Sequence, residues 1–376
     1  MKYLYINNNL RLLLSPQQKH KVKYELIKKR PSPVVYTSTV EVIILGDLHG
    51  NAIKFIYFLI KYRLIECTDF GYNSLLAAYA ENNVKLFTKF LTQYVKPSKL
   101  MILPLLILLG DTLSDRGNND YMTLKVYELL SIFKQKYIII FSNHDMEFIL
   151  NFKKHKFCKK QKPETFVLSS MMGQANSMMK MHECIMKAMI TPKEIQSLIE
   201  NVYLPNLKIV HHHKIKNTQA KEELLIFSHA PVNTSFLEEC SNILQGKKSL
   251  NHDRFIMIRT IKTVTETIDK INSNFDFDKF IEMHNNFNLK NCYNITESYP
   301  LIKLVWNKED MGTENEDISD TVTYIHGHIG QQVFEAANIH NLDSNFCKVD
   351  SNSYPMPVAL IVEQQRGPAI INNSYF

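Results

Sequence analysis

Four short blocks of this sequence combine carboxylate, amide and imidazole side chains in patterns that can bind metal ions. They read GDLHG at positions 46–50, GD at 110–111 with DRG at 115–117, NHD at 143–145, and GH at 327–328. Each block directly follows an apolar run that is typical of a buried strand. Acidic and imidazole side chains at four strand ends are better explained as metal ligands than as core packing.

Six side chains form the predicted ligand set of two metal ions. Asp47 and His49 are two residues apart, so they project in the same direction from an extended strand end and can bind one ion. Asp111 ends a neighbouring strand, and its carboxylate can bridge both ions. The second ion is predicted to bind Asp111 together with Asn143, His229 and His328. Mixed oxygen and nitrogen ligands of this kind suit Mn, Fe or Zn better than Ca.

The residues beside these ligands indicate chemistry on phosphate esters. Two ions about 3.5–4 Å apart can supply a metal-bound hydroxide and hold a phosphate during in-line displacement. Arg116 offers a bidentate fork for phosphate oxygens, and Asn143 is assigned to phosphate binding as well. His144 directly follows a metal ligand and can protonate a leaving alkoxide. Asp115 is the carboxylate expected to orient His144 and raise its pKa.

The apolar runs before the blocks alternate with helical patterns along the chain. Strands are predicted at residues 42–45, 105–109, 137–141, 224–227, 322–325 and 358–362, and helices at 52–62, 75–94 and 121–134. This alternation indicates an α/β protein with a largely parallel sheet covered on both faces. Residues 150–222 have helical spacing and many methionines, for which core packing is favoured over an adaptable binding face.

Taken in order, the blocks resemble the calcineurin-like metallophosphoesterases and, within them, the phosphoprotein phosphatase family. That family has Gly-Asp-x-His-Gly, Gly-Asp-x-Val-Asp-Arg-Gly, Gly-Asn-His-Glu and two isolated histidines. The sequences HAP at 229–231 and GHI at 327–329 are similar to bacterial and phage-type members such as lambda phosphatase. The segment NLDS at 341–344 resembles a terminal Ile-Asp-Thr-Gly strand of that type.

The resemblance covers about residues 41–364 and implies the metallophosphoesterase fold. That fold is a central β-sandwich of mostly parallel sheets flanked by helices, here with helical insertions at about 65–100 and 150–222. Residues 1–40 are then an N-terminal extension, and residues 365–376 are a C-terminal tail.

The sequence departs from the family pattern at four places. The second block has one extra residue, Ser142 replaces a glycine, and Asp145 replaces a glutamate. Lys308 stands where the phage-type pattern has a second phosphate-binding arginine, so the resemblance assigns it to phosphate binding; a lysine keeps the charge but loses the bidentate fork. Arg254 or Arg259 could supply the missing contact, although surface positions are favoured for both.

Four more histidines are weaker candidates for metal binding: three in one run and one near the last block. The run His211–His213 could bind a metal, but a solvated loop is the favoured interpretation. His326 lies two residues before a predicted ligand, and a structural role is favoured for it because the residue at position 330 is glycine rather than a ligand.

The resemblance implies a metal-dependent phosphomonoesterase, foremost a protein phosphatase acting on phospho-Ser/Thr or phospho-Tyr. Its cofactors would be two divalent ions, with Mn favoured and Fe or Zn as alternatives, and its partner a phosphorylated protein. A nucleotide phosphohydrolase of the dinucleoside tetraphosphatase type would use the same site. A non-catalytic binding protein on the same fold is the third hypothesis, which the intact ligand set with Arg116 and His144 argues against.

Composition argues against nucleic-acid binding, a disulfide-rich scaffold and a membrane span. The net charge is +7, but the lysines are dispersed, so no nucleic-acid partner is predicted. The six cysteines contain no Cys-x-x-Cys pair, which favours reduced thiols. The longest apolar stretch, residues 101–109, is too short to span a membrane.

A cytoplasmic protein is expected, or one translocated into a host cell, since the Lys-, Asn- and Ile-rich composition resembles bacterial effectors such as those of Legionella. The oligomeric state stays open.

Overall fold

Two β-sheets pack face to face in the computed structural model of this chain. It describes residues 3–7, 10–14, 27–36, 38–158, 175–216, 221–247, 260–280, 300–307, 322–328, 338–343 and 357–363. The strands with defined bounds are β1 (Tyr3–Asn7), β2 (Leu10–Leu14), β3 (Val40–Leu45), β4 (Ile65–Cys67), β5 (Val95–Pro97), β6 (Leu105–Leu108), β7 (Tyr137–Ile140), β8 (Leu207–Lys208), β9 (Val210–Lys216), β10 (Glu222–Ser228), β11 (Val322–His326), β12 (Ile339–Asn341) and β13 (Pro357–Glu363).

The larger sheet has the strand order β1-β2-β13-β3-β6-β7-β8, and the smaller sheet has the order β12-β11-β10-β9. Strands β3, β6, β7 and β8 are parallel to one another, and β10, β11 and β12 are parallel in the second sheet. Strands β4 and β5 form a separate two-stranded pair. These strands confirm the predicted parallel α/β arrangement.

Helices cover the outer faces of the sandwich and form its insertions. Their bounds are α1 (Ala52–Lys61), α2 (Asp69–Ala80), α3 (Val84–Tyr94), α4 (Asp120–Ile132), α5 (Asn143–His155), α6 (Asn176–Met186), α7 (Pro192–Leu198), α8 (Thr234–Leu244), α9 (Ile261–Asn274) and α10 (Pro300–Trp306). The helical pattern at 75–94 is two helices, because the chain turns at residues 81–83 and Asn83 caps α3 by accepting the Leu86 N–H. None of the described helices combines the length and apolar character of a bilayer crossing.

Alternate residues of each central strand enter different parts of the core. In β3, Val42 and Ile44 join an apolar layer that includes Leu225 and Phe227 of the second sheet. Ile43 belongs to the other apolar cluster, which the helices cover. Burial on both faces explains why β3 reads as a continuous apolar run rather than an alternating one. The sheet edge that follows these strands is therefore held rigidly from both sides.

The edges of the sheets differ from the sequence predictions. Strand β13 runs antiparallel to β3, and it pairs on its other side with β2. The sheet therefore includes Tyr3–Asn7 and Leu10–Leu14, which were assigned to an N-terminal extension. An apolar run identifies a strand but carries no information about its direction, which only its partners decide.

The prediction of a solvated loop at His211–His213 is wrong, because these residues lie in β9 and pair antiparallel with β10. β9 is the outermost strand of its sheet, where polar side chains are common. His212 Nε2 lies 3.2 Å from Asp269 Oδ1 on α9. A polar edge strand such as this lacks the apolar alternation by which strands are recognised.

Helix α6 confirms core packing for part of the methionine-rich region. Met178 and Met181 are fully buried, whereas Met186 is about half exposed. Four cysteines lie in the described part of the chain, and all four are free thiols. Three of them are buried, as expected for structural cysteines.

Candidate metal centre

The predicted ligands lie where the ends of strands from both sheets meet. Asp47, Asp111 and Asn143 follow β3, β6 and β7 of the larger sheet. His229 and His328 follow β10 and β11 of the smaller sheet. Because the strands within each set are parallel, their carboxyl ends lie at one edge of the sheet. Contacts across this edge join the predicted ligands of the larger sheet to those of the smaller sheet.

One cluster contains Asp47, Asp111 and His229. One potential ligand atom from each lies within 4.8 Å of the others. His229 Nε2 is 3.5 Å from Asp111 Oδ1 and 2.8 Å from Asn143 Oδ1. The His328 backbone N–H donates to Asp47 Oδ2 at 3.0 Å, and the rings of His328 and His229 are 4.8 Å apart. Five of the six predicted ligands therefore meet here, and Asp47 lies with Asp111 and His229 although the sequence grouped it with His49.

A backbone carbonyl orients one of these imidazoles. His229 Nδ1 donates to the carbonyl of Leu109 at 2.8 Å, at the end of the run that contains β6. This bond directs Nε2 towards Asp111 and Asn143, with its lone pair available to an ion. Such a second bond commonly fixes the tautomer and the direction of metal-binding histidines.

A second cluster contains His49, Asp111 and Asp115, again with ligand atoms within 4.8 Å of one another. His49 Nδ1 lies 2.8 Å from Asp115 Oδ2 and 3.8 Å from Asp111 Oδ2. Asp111 belongs to both clusters, which is the arrangement expected of a bridging carboxylate. The sequence did not identify Asp115 as a member of this group.

His144 has a different hydrogen-bond partner from the predicted one. Its Nδ1 donates to the carbonyl of Ser114 at 2.8 Å, whereas the Asp115 carboxylate contacts His49 and Arg116. Burial lowers the pKa of His144, but the charges of Asp115, Asp111 and Glu147 and the bond to Ser114 raise it to about 9 overall. The predicted rise in pKa is present, although Ser114 rather than Asp115 makes the orienting bond.

The buried carboxylates of the site carry negative charge that a divalent cation would offset. The pKa of Asp111 is raised to about 7 overall: burial raises it most, the charge of His144 lowers it, and the charges of Asp115, Asp145 and Asp343 raise it. Asp111 Oδ1 is buried and makes no hydrogen bond within the described residues. A buried carboxylate oxygen is costly without a partner, and a bound cation would supply one. The residues present therefore fit metal ions and could hold them.

Several site residues have backbone conformations that L-amino acids rarely adopt. His49, Asp111 and His328 have φ values of 57°, 49° and 70°. Left-handed backbone outside glycine is uncommon and is concentrated at functional sites. The glycine at 327 is required for another reason: a Cβ there would lie 2.0 Å from Asp47 Oδ1.

Arg116 stands at the exposed side of the cluster. Its Nη1 donates to Asp115 Oδ1 at 3.0 Å, and its side chain keeps 40% of its surface exposed. Burial raises the pKa of Asp115, but the charges of His144, His49 and Arg116 and the hydrogen bond from His49 lower it well below its usual range overall. An ionised Asp115 thus holds a guanidinium at the solvent-facing side of the predicted metal ligands.

Sequence reasoning missed Asp343 as a site residue. Its carboxylate is buried, with Oδ1 3.5 Å from His49 Nε2. The resemblance of residues 341–344 to a terminal family strand was the only available signal. It identified the strand but not the direction of the side chain.

The structure describes the segment before Lys308 up to residue 307. The Trp306 ring meets His328 edge-on at 6.0 Å, and Asn307 Nδ2 donates to the Pro231 carbonyl at 3.1 Å. The end of α10 is therefore beside His328 and the chain that follows His229, while Lys308, Arg254 and Arg259 lie outside the described residues. His326 Nδ1 donates to the Gly327 carbonyl at 3.0 Å, which fits the structural role predicted for it.

Comparisons with known proteins identify a matching family and a similar fold. Residues 105–348, more than half of the chain, match the family described as "WipA-like, phosphatase domain". The fold is similar to the crystal structure of the phosphatase domain from the Legionella effector WipB, with a TM-score of 0.58 and 23% sequence identity. That match covers 77% of this chain and 99% of the other. No curated protein matches the sequence.

Proposed function

The chain belongs to the family of WipA-like phosphatase domains, and on this premise we propose that it is a metal-dependent phosphomonoesterase that acts on phosphoproteins. The observation that carries the proposal is the position of Asp111. Its carboxylate belongs to both buried clusters of potential ligands. Two ions sharing one carboxylate is the arrangement of dinuclear phosphoester hydrolases.

The proposed ligands are Asp47, His49, Asp111, Asn143, His229 and His328. Asp115 lies close enough to His49 and Asp111 to be a further ligand. When bound, two divalent ions would activate the attacking water and stabilise negative charge on the phosphate. Manganese is the first choice for reconstitution, with iron and zinc as alternatives, because the ligands mix oxygen and nitrogen.

The remaining side chains bind the phosphate and move a proton. Arg116, held by Asp115, would offer guanidinium N–H groups to two phosphate oxygens, and the Asn143 amide would add a further phosphate contact. The raised pKa of about 9 favours the imidazolium form of His144, in which Nδ1–H stays on the Ser114 carbonyl and Nε2 carries a second proton for the leaving alkoxide. We assign a second phosphate contact to Lys308, as the sequence predicted.

The substrate and its location extend the same proposal. The similar structure is described as part of a Legionella effector, and this chain resembles it across nearly all of that domain. We therefore propose that the chain is a translocated effector phosphatase that acts on host phosphoproteins. A nucleotide phosphohydrolase remains the competing enzyme, since it would need the same metal ligands.

The test is hydrolysis of p-nitrophenyl phosphate by the purified chain with and without Mn²⁺, followed by panels of phosphopeptides and dinucleoside polyphosphates. We expect turnover that disappears with chelator and returns with metal, and a preference for phosphopeptides. Absence of turnover with every divalent metal would exclude both enzymes. Turnover restricted to dinucleotides would replace the phosphoprotein proposal with the nucleotide one.

Asp111→Asn is expected to abolish turnover without unfolding the chain. The amide keeps the size of the carboxylate but loses the negative charge that would bridge two cations, so kcat should fall at least about 100-fold. Steady-state kinetics and circular dichroism measure the two effects. The matched control is Asp278→Asn at a mostly exposed aspartate of the surface, which should keep full activity. Near-normal activity of Asp111→Asn would disprove the bridging role.

A further inference from the structure

The loop at residues 114–119 carries Asp115 and Arg116 but has no regular secondary structure. Ser114 at its start has a left-handed φ of 52°. Among the described residues, the Arg116 side chain is held only by Asp115. An irregular loop loses conformational entropy when it is fixed, so neighbouring contacts must hold it if its arginine is to have one position.

The first turn of α6 supplies these contacts. The Asp115 backbone N–H donates to Ser177 Oγ at 3.0 Å, and the Ser177 backbone N–H donates to the Asp115 carbonyl at 2.9 Å. Asn176 Nδ2 donates to the Gly117 carbonyl at 2.7 Å. These three bonds hold the backbone on both sides of Arg116.

The same helix turn touches the first metal-binding block. Gly50 has a φ of +61°, and a Cβ placed on it would lie 2.6 Å from Ser177 Oγ and 3.3 Å from the Asp115 backbone nitrogen. Ser177 is itself fully buried. The loop after His49 and the loop that carries Arg116 are therefore packed against one serine.

The polar contacts of α6 are separate from its apolar packing. Met178, Met181 and Ile185 are buried in the main hydrophobic core and attach the helix to the domain. Asn176 and Ser177 point instead to the loop. If α6 were only a structural cover, it would not need to bond the backbone on both sides of Arg116.

We propose that Asn176 and Ser177 are positioning residues of the phosphate site, which makes the insertion helix α6 a working part of the active centre. They fix the backbone at Asp115 and Gly117 and so set the direction in which Arg116 meets the phosphate. The inference rests on the proposed phosphatase function of this site. Neither residue touches the substrate; both act through the loop.

The experiment compares Ser177→Ala and Asn176→Ala with the wild-type chain, loaded with Mn²⁺. A mobile Arg116 binds phosphate less well, so KM for p-nitrophenyl phosphate and the inhibition constant of inorganic phosphate should rise together, each about fivefold per lost hydrogen bond. We expect kcat to change less than KM. The half-buried Asn176 provides a second variant if removal of the buried Ser177 hydroxyl impairs folding.

Met186→Ala is the matched control, since it lies on the same helix but is about half exposed and distant in sequence from the first turn. It should leave both constants at wild-type values. Amide hydrogen exchange of a peptide spanning residues 114–118 gives a readout that requires no turnover. We expect faster exchange there in Ser177→Ala and unchanged exchange in Met186→Ala.

The outcomes separate this inference from the proposed function. A wild-type chain without turnover contradicts the proposed function, whereas exchange at residues 114–118 still reports whether α6 holds the loop. An active wild type whose two variants keep the same KM and the same phosphate inhibition constant would overturn the positioning role, even if exchange becomes faster. Unchanged exchange in Ser177→Ala would also overturn it.

Discussion

Ser142 and Asp145, two of the departures from the family pattern, form one hydrogen-bonded unit behind Asp111, the proposed bridging carboxylate. The Ser142 hydroxyl accepts the Asp111 N–H at 2.9 Å and donates to Asp145 Oδ2 at 2.7 Å. Asp145 Oδ1 accepts the backbone N–H groups of Thr112 and Leu113 at 3.2 and 3.1 Å. The pair thus holds the chain just where Asp111 adopts its left-handed φ. Two departures that looked independent in sequence are parts of the same support.

Ser142→Ala should therefore weaken metal binding as well as the fold. It removes the N-cap of α5 and leaves the buried Asp111 N–H without its acceptor, at a cost of about 1–2 kcal/mol in the free energy of unfolding. Loss of such outer support typically lowers metal affinity about 10-fold or more. Urea unfolding and Mn²⁺ titration measure the two effects.

Thr191→Ala is the matched control for this prediction. Thr191 caps α7 by accepting the Glu194 N–H at 3.2 Å, away from the ligands. It should cost similar helix stability while Mn²⁺ affinity stays at the wild-type value. Equal losses of affinity in both variants would show that Ser142 has no special relation to Asp111.

Asp120, which is not among the proposed metal ligands, gives the fold a pH dependence. Its pKa is raised to about 8 overall: burial raises it most, hydrogen bonds from Ser177 and Ser114 lower it, and the charges of Asp145 and Asp115 raise it. An unfolded aspartate titrates at about 3.9. Between about pH 4 and 8 the folded chain keeps a proton that the unfolded chain has lost, so stability falls as pH rises through this range.

Asp120→Asn should remove this contribution, because the amide stays neutral at every pH. The free energy of unfolding of the variant, relative to wild type, should increase from pH 5 to pH 8 and level off above about pH 8. Urea unfolding at fixed metal concentration across this range measures it. Parallel curves for the two proteins would show that Asp120 is ionised in the folded chain at neutral pH.

At the scale of the elements, the two sheets approach each other closely at Gly46, beside the proposed ligands. Gly46 follows β3, and a Cβ added to it would lie 1.9 Å from the Leu342 carbonyl oxygen, just after β12. The atom it would meet belongs to the backbone and cannot rotate away. Glycine at position 46 is therefore what allows the end of β12 to bring Asp343 to His49.

Gly46→Ala should push these strand ends apart. We expect a loss of about 3 kcal/mol in the free energy of unfolding from overpacking, together with weaker Mn²⁺ binding. Gly246→Ala is the control, since its φ is +70° but nothing lies within 4 Å of the added Cβ. It should cost only about 1 kcal/mol of backbone strain and leave metal binding intact. A Gly46→Ala chain as stable as the control would contradict the close approach.

At the scale of the whole molecule, the sequence predicted the features that depend on local residue patterns and missed those that depend on other parts of the chain. The strands before Asp47, Asp111 and Asn143 were predictable, because burial on both faces leaves an uninterrupted apolar run. The direction of β13 depends on partners distant in sequence, so no local pattern reveals it. Strand β9 pairs with the next strand along the chain, but its polar edge residues lack the apolar alternation that identifies a strand. The partner of Asp115 was missed because the path of the loop at 114–119 is set by α6, an insertion outside the family motif.

The division of the ligands between two sheets has a consequence for how fast the chain unfolds. Asp47, Asp111 and Asn143 belong to one sheet and His229 and His328 to the other, so an ion bound by both sets would join the sheets as a crosslink does. Unfolding must separate the sheets, and this step would then require loss of the ion. Metal should therefore lengthen the lifetime of the folded state by slowing its unfolding, beyond its effect on the equilibrium.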